Sequence, residues 1–144
     1  MFKLGIASDH AGFKLKMVIK KWLSDKGYEV TDFGSNSSES SDYADVAHPL
    51  AYSVEKGEVN LGISMCGSGN GINITVNKHQ GIRAGLCWNK EIARLARAHN
   101  DANICSLPAR FITVDEAKEI IETFLTTNFD GGRHLTRINK IPIK

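Results

Sequence analysis

The stretch Val59-Asn60-Leu61-Gly62-Ile63-Ser64-Met65-Cys66-Gly67-Ser68-Gly69-Asn70-Gly71 decides how this chain is read. Its first half holds an apolar run of strand length, residues 61–65, and its second half is a glycine-rich turn with a thiol at the exit. Helical sequence follows over residues 68–77. Glycines let backbone N–H groups come close to a bound anion, and a helix start adds a favourable dipole. Such a nest of donors favours the thiolate form of Cys66. The plainer reading of Cys66 is a small buried hydrophobe, the common fate of a free cysteine. The adjoining cradle tips the balance, because one short segment then supplies a base or nucleophile and donors for an oxyanion. The chain reads as an enzyme. Ser68 either bonds the thiol or caps the helix. The glycines lack the spacing of a dinucleotide fingerprint, and the acidic residue expected beyond a second strand is missing.

Outward from this segment, strand and helix patterns alternate. Strands are predicted at 2–7, 28–33, 61–65, 82–86 and 102–106. Helices are predicted at 12–26, 43–56, 68–77, 89–99 and 114–125. Gly27 suits the stop of the first helix, and His48-Pro49 interrupts the second near its start. Thr113 and Glu116 form the signature of a capping box before the last. Strict alternation implies βαβ crossovers and a parallel sheet. The expectation is an α/β fold: one doubly wound, Rossmann-like domain over residues 1–144, with a five-stranded parallel sheet and helices on both faces. A C-terminal helical extension follows, where Asp130-Gly131-Gly132 leads into Arg133 and Arg137, four apart on one helical face. A ligand then lies at the carboxyl ends of the strands, where Asp9 and His10 leave strand one.

Composition narrows the function. A net charge of +2 over 144 residues, with no long basic run, gives no footprint for nucleic acid. Lys14, Lys16, Lys20 and Lys21 read as the solvated face of the first helix. No apolar run approaches membrane-spanning length, and no signal peptide is expected ahead of the first strand. Three widely spaced cysteines suit a reducing cytoplasm better than a disulfide framework. No CxxC or HExxH spacing points to zinc. Cys87 and Cys105 read as core thiols, and His48 and His79, without partners in the sequence, as structural or solvated. His99-Asn100 reads as a helix C-terminus, and Arg133 and Arg137 as surface charge or as a phosphate clamp.

Taken together, these motifs closely resemble the ribose-5-phosphate isomerase B family, whose scaffold is shared by galactose-6-phosphate isomerase subunits and allose-6-phosphate isomerases. The resemblance spans nearly the whole chain. It rests on Ser8-Asp9-His10-Ala11-Gly12, Ser41-Asp42-Tyr43-Ala44-Asp45, the 66–71 loop, Asn77-Lys78, Gly81-Ile82-Arg83-Ala84, His99-Asn100-Asp101-Ala102-Asn103 and Gly131-Gly132-Arg133-His134 with Arg137. It implies aldose–ketose isomerisation of a sugar phosphate through an enediolate, without metal or organic cofactor. Cys66 is then the proton-transfer base, with Ser68 beside it. The N–H groups of Gly67, Ser68, Gly69, Asn70 and Gly71 steady the enediolate oxygen. Asp9 and His99 open the furanose ring, Tyr43 and Asn100 position hydroxyls, and His10, Arg110, Arg133 and Arg137 hold the phosphate. A second branch of the family carries glycine for the cysteine and a glutamate base at the position of Ile72; Cys66 with an apolar Ile72 matches the cysteine branch. The expected substrate is ribose 5-phosphate, with allose or galactose 6-phosphate, or binding without catalysis, as alternatives. Topology adds an expectation of its own. The fourth helix runs back from the carboxyl edge of the sheet, so His99 and Asn100 belong at the opposite edge, and Arg133 and Arg137 with them. If they serve catalysis they reach a neighbour's site, which makes the assembly a homodimer with shared sites, or a dimer of dimers.

Overall fold

The structure, a computed structural model, describes residues 2–144. Five parallel strands form one sheet: β1 (Lys3–Ser8), β2 (Glu29–Asp32), β3 (Leu61–Cys66), β4 (Ala84–Leu86) and β5 (Ile104–Pro108). Their spatial order is β2-β1-β3-β5-β4. The helices are α1 (Phe13–Asp25), α2 (Tyr43–Glu55), α3 (Asn70–Val76), α4 (Lys90–Asn100), α5 (Val114–Thr126) and the short α6 (Arg133–Ile138). The expected α/β architecture and its C-terminal helix are both present. Leu15, Ile19 and Leu23 of α1 share one apolar cluster with Ala93 of α4 and with Ile120 and Phe124 of α5. Leu50 and Val54 of α2 and Ile72 and Val76 of α3 build a second. Two separate clusters flank one sheet, so both its faces are covered, as a parallel sheet requires.

Several boundaries depart from the sequence reading for local physical reasons. The first helix starts at Phe13, because Asp9 caps a one-turn 3₁₀ segment, His10–Gly12, ahead of it. The third starts at Asn70, since Gly69 before it takes φ +77°, a left-handed conformation that suits glycine. Strand β4 starts only at Ala84. Before it, side-chain amides replace a neighbouring strand: Arg83 N–H donates to Asn103 Oδ1 (2.8 Å) and Ala84 N–H to Asn77 Oδ1 (2.9 Å). The expected break at His48-Pro49 does not occur, and α2 runs unbroken through Pro49.

One side-chain assignment also changes, and two histidines gain partners that the sequence does not show. Lys16 is fully buried instead of solvated. His48 and His79 are not isolated: His48 Nδ1 lies 2.7 Å from His79 Nε2, and His79 Nδ1 lies 3.1 Å from Glu55 Oε1. Cys87 and Cys105 are buried as expected, and the neighbouring Cys87 thiol together with burial pushes the Cys105 thiol up.

Candidate active site

Strands β1 and β3 run side by side, with Ser8 opposite Met65 in register. Asp9 and Cys66 therefore emerge together at the carboxyl edge. The other neighbour of β1 is β2 and that of β3 is β5, so the chain winds away in two directions from this point. A crevice opens where strand order reverses in this way. Here it is a cleft of about 470 Å³ whose walls include Asp9, His10, Tyr43, Cys66, Ser68 and Arg110. Gly67 and Gly71 form part of its floor.

The glycine loop is shaped by close approach. A Cβ at Gly71 would collide with the Tyr43 ring, and one at Gly69 would sit 3.0 Å from the Leu107 backbone. Tyr43 thus lies directly on the loop. Arg110 is bound to the same loop: its N–H donates to the Gly67 carbonyl (3.0 Å), and Ala109 N–H donates to the Cys66 carbonyl (2.9 Å). A Cβ at Gly67 would be 3.2 Å from Arg110 Nη1, so the guanidinium covers that glycine. Ser68 Oγ accepts the Asn70 N–H (3.2 Å) in a turn just ahead of α3, whose N-cap is Gly69 and receives no side-chain bond. That bond also removes Asn70 from the expected set of oxyanion donors. The N–H groups of Gly67, Ser68 and Gly69 meet no acceptor among the described residues.

Asp9 serves the turn and faces the cleft at once. Its Oδ1 accepts Ala11 N–H (3.0 Å) and Gly12 N–H (3.3 Å), which orients the carboxylate. Oδ2 has no partner among the described residues. His10 is held by Ser41. The His10 N–H donates to Ser41 Oγ (3.1 Å), while Ser41 sets both its N–H and its carbonyl 3.2 Å from Nδ1. A neutral ring that accepts the Ser41 N–H carries its proton on Nε2, and an imidazolium donates to the carbonyl and also keeps Nε2–H. A neutral ring that instead donates Nδ1–H to the Ser41 carbonyl leaves Nε2 as an acceptor, so a donor at Nε2 belongs to the first tautomer and to the imidazolium.

His99, Asn100, Arg133 and Arg137 do not line this cleft. Helix α4 carries the chain back by ~16 Å over its length. Asn100 borders another hollow, with Ala84, the first residue of β4, and Ala102, just ahead of β5. The His99 ring stacks on that of His134 in α6, centroids 4.2 Å apart and planes 12° apart. Burial, aided by the nearby His99, Arg133 and Arg137, holds the His134 imidazole below its usual pKa. Arg133 and Arg137 stand exposed on the same short helix. His99, His134 and Asp130 bring ligand atoms within 4.8 Å of one another. Face-to-face rings aim their in-plane lone pairs alongside each other, a poor arrangement for converging on one ion. The sequence reading missed Phe111 as a cleft residue and Ser41 as the seat of His10. Only the fold brings Ser41 to His10, and a pattern along the chain carries no trace of it.

The model of the ribose/galactose isomerase family matches residues 4–141. Ribose-5-phosphate isomerase B of Escherichia coli (strain K12) is 42% identical over 141 residues, covering 98% of this chain and 95% of the relative. A ribose 5-phosphate isomerase of Thermotoga maritima superposes with a TM-score of 0.97 at 50% identity, covering 98% and 97% of the two chains. That of Mycoplasma genitalium, solved with bound ribulose-5-phosphate, gives 0.93 at 42% identity, covering 97% and 93%. No helix among the described residues is long and apolar enough to cross a membrane. With a family model spanning nearly its whole length, the chain belongs to the ribose/galactose isomerase family.

Proposed function

We propose that this chain interconverts ribose 5-phosphate and ribulose 5-phosphate through an enediolate. The observation that carries the reading is the convergence of a thiol, a carboxylate, unpaired N–H groups and cationic donors at the carboxyl edge of β1 and β3. Cys66, as thiolate, takes the C2 proton of the open-chain aldose. Electrons of the C2–H bond move into the new C1–C2 double bond, and the carbonyl oxygen O1 becomes an oxyanion. The free N–H groups of the 66–71 loop stabilise that charge where it develops. Transfer of the O2 proton to O1, with return of the abstracted proton from Cys66 to C1 as the C2=O2 bond forms, gives the ketose and restores the thiolate. Ser68 beside the thiol assists, and Tyr43 positions a hydroxyl.

Asp9 begins ring opening by acid–base exchange with the anomeric hydroxyl and ring oxygen. His10 Nε2–H and the Arg110 guanidinium meet the phosphate. The second acid–base group, His99, and the remaining ligands Asn100, Arg133 and Arg137 come from the partner subunit of a dimer, because their own subunit holds them away from its cleft. The setting is cytoplasmic, in keeping with three free thiols. A turnover assay with ribose 5-phosphate beside allose 6-phosphate and galactose 6-phosphate tests the substrate. Ribose 5-phosphate should give the highest kcat/KM, and equal or greater efficiency on either hexose phosphate overturns the assignment.

A further inference from the structure

Lys16 is among the largest fully buried side chains of the protein, and nothing in the proposed chemistry uses it. A lone ammonium in the interior costs several kcal/mol unless it is paired. Here Nζ donates to Asp32 Oδ1 (2.7 Å) and to the Ser35 carbonyl. Asp32 also accepts Gly34 N–H (2.9 Å) and Lys20 Nζ (3.2 Å). Burial pushes the Asp32 carboxyl up, yet the hydrogen bonds from Lys16 and Gly34, with the Lys16 charge, hold it below the usual carboxylate range. The Asp32 carboxylate beside Lys16 is therefore ionised at neutral pH. An apolar replacement is often as stable as a buried ion pair, so this pair is better explained by what it positions.

The positioned object is the segment 34–42. Ser8 N–H donates to the Gly34 carbonyl (2.8 Å) and Ser35 N–H to the Ser8 carbonyl (2.6 Å). The chain leaving β2 is thus laid against the end of β1, immediately before Asp9 and His10. Residues 36–40 are exposed, and their side-chain bonds stay within the segment, Ser35 Oγ to the Ser37 carbonyl and Glu39 N–H to Ser37 Oγ. At its far end, Ser41 makes its contacts to His10, and Tyr43 follows onto Gly71. The segment is pinned at one end by Lys16 and fixes the His10 ring with the other.

We infer that Lys16, through its buried pair with Asp32, is a positioning residue for the substrate phosphate: it anchors the 34–42 segment whose far end orients His10. The inference rests on the reading of His10 as a phosphate ligand. Its test compares wild type, His10→Ala, Lys16→Met and the paired variant Lys16→Met/Asp32→Asn, each with and without His10→Ala. The paired variant leaves no unmatched charge in the interior, so it keeps the fold where Lys16→Met alone does not. The readouts are KM for ribose 5-phosphate, kcat, the inhibition constant of inorganic phosphate, and Tm. In the paired variant KM and the phosphate inhibition constant should each rise about tenfold, the scale of one charge-assisted hydrogen bond, with kcat changed far less. In the His10→Ala background the same pair should add less than about twofold, because both lesions remove one function. If His10→Ala weakens phosphate binding and the paired variant does not, Lys16 is only a structural ion pair and the inference is overturned. If His10→Ala itself leaves phosphate binding intact, the phosphate role of His10 falls, and the inference with it.

Discussion

Three thiols in one chain, all buried, have different surroundings, and the surroundings assign their roles. Cys87 and Cys105 are free thiols of the core, Cys87 donating to the Gly85 carbonyl (3.5 Å), and the Cys87 thiol together with burial pushes the Cys105 thiol up. A neutral, enclosed thiol is inert. Cys66 is 5% exposed and opens onto the cleft, beside N–H groups with no other partner. Loss of its sulfur removes the proposed base and little packing. Cys66→Ala should lower kcat by about 10²–10⁴-fold, the span of a lost acid–base group, with Tm nearly unchanged. Steady-state kinetics beside a melting curve checks both halves, and near-normal turnover would return Cys66 to the status of its two siblings.

Among the elements, α5 is the one whose start is written most plainly. Thr113 Oγ1 accepts Glu116 N–H (3.1 Å) and Glu116 Oε1 accepts Thr113 N–H (2.9 Å), a complete capping box. Thr113→Ala should cost about 1 kcal/mol, or about 3 °C in Tm. Because α5 contributes nothing to the cleft, kcat and KM should stay put; a kinetic change would mean that the helix does more than pack. The box was legible because its signal is local, as were β1, β3 and the apolar faces of α1 and α4. Features set by distant parts of the chain were not. Pro49 costs a helix ~3 kcal/mol. Burial of Val46, Leu50 and Val54 against the sheet returns ~1.5–3 kcal/mol each, so α2 continues where local rules stop it. Lys16 looked solvated because its helix spacing matches Lys20, whereas Asp32 and Ser35, which draw it inward, arrive from another element. Likewise the cradle and Asp9 were readable as motifs, but the bonds of Ser41 to His10 were not.

At the scale of the molecule, the polarity of a parallel sheet separates the proposed site residues into two groups. Residues at or just beyond the strand ends, Asp9, Cys66 and Arg110 among them, gather at the carboxyl edge. Residues at the ends of return helices are carried the other way, as His99 and Asn100 are by α4, and α6 packs beside them through the His99–His134 stack. One chain cannot bring the two groups together without undoing the sheet, whereas a two-fold pair can supply each cleft with the other subunit's second group. Mixing subunits separates this arrangement from a self-contained site. Cys66→Ala and His99→Ala proteins, each nearly inactive alone, are unfolded together in equal amounts and refolded. In a mixed dimer one site collects both lesions and the other has none. Random pairing makes half the dimers mixed, so about a quarter of wild-type activity should reappear. Differently tagged subunits recovered by two successive affinity steps establish that mixed dimers have formed. Activity in that fraction near half of wild type, per subunit, is the outcome a shared site requires. An inactive mixed fraction would place Cys66 and His99 in the same subunit's site and would mean that α4 does not keep the position it has here.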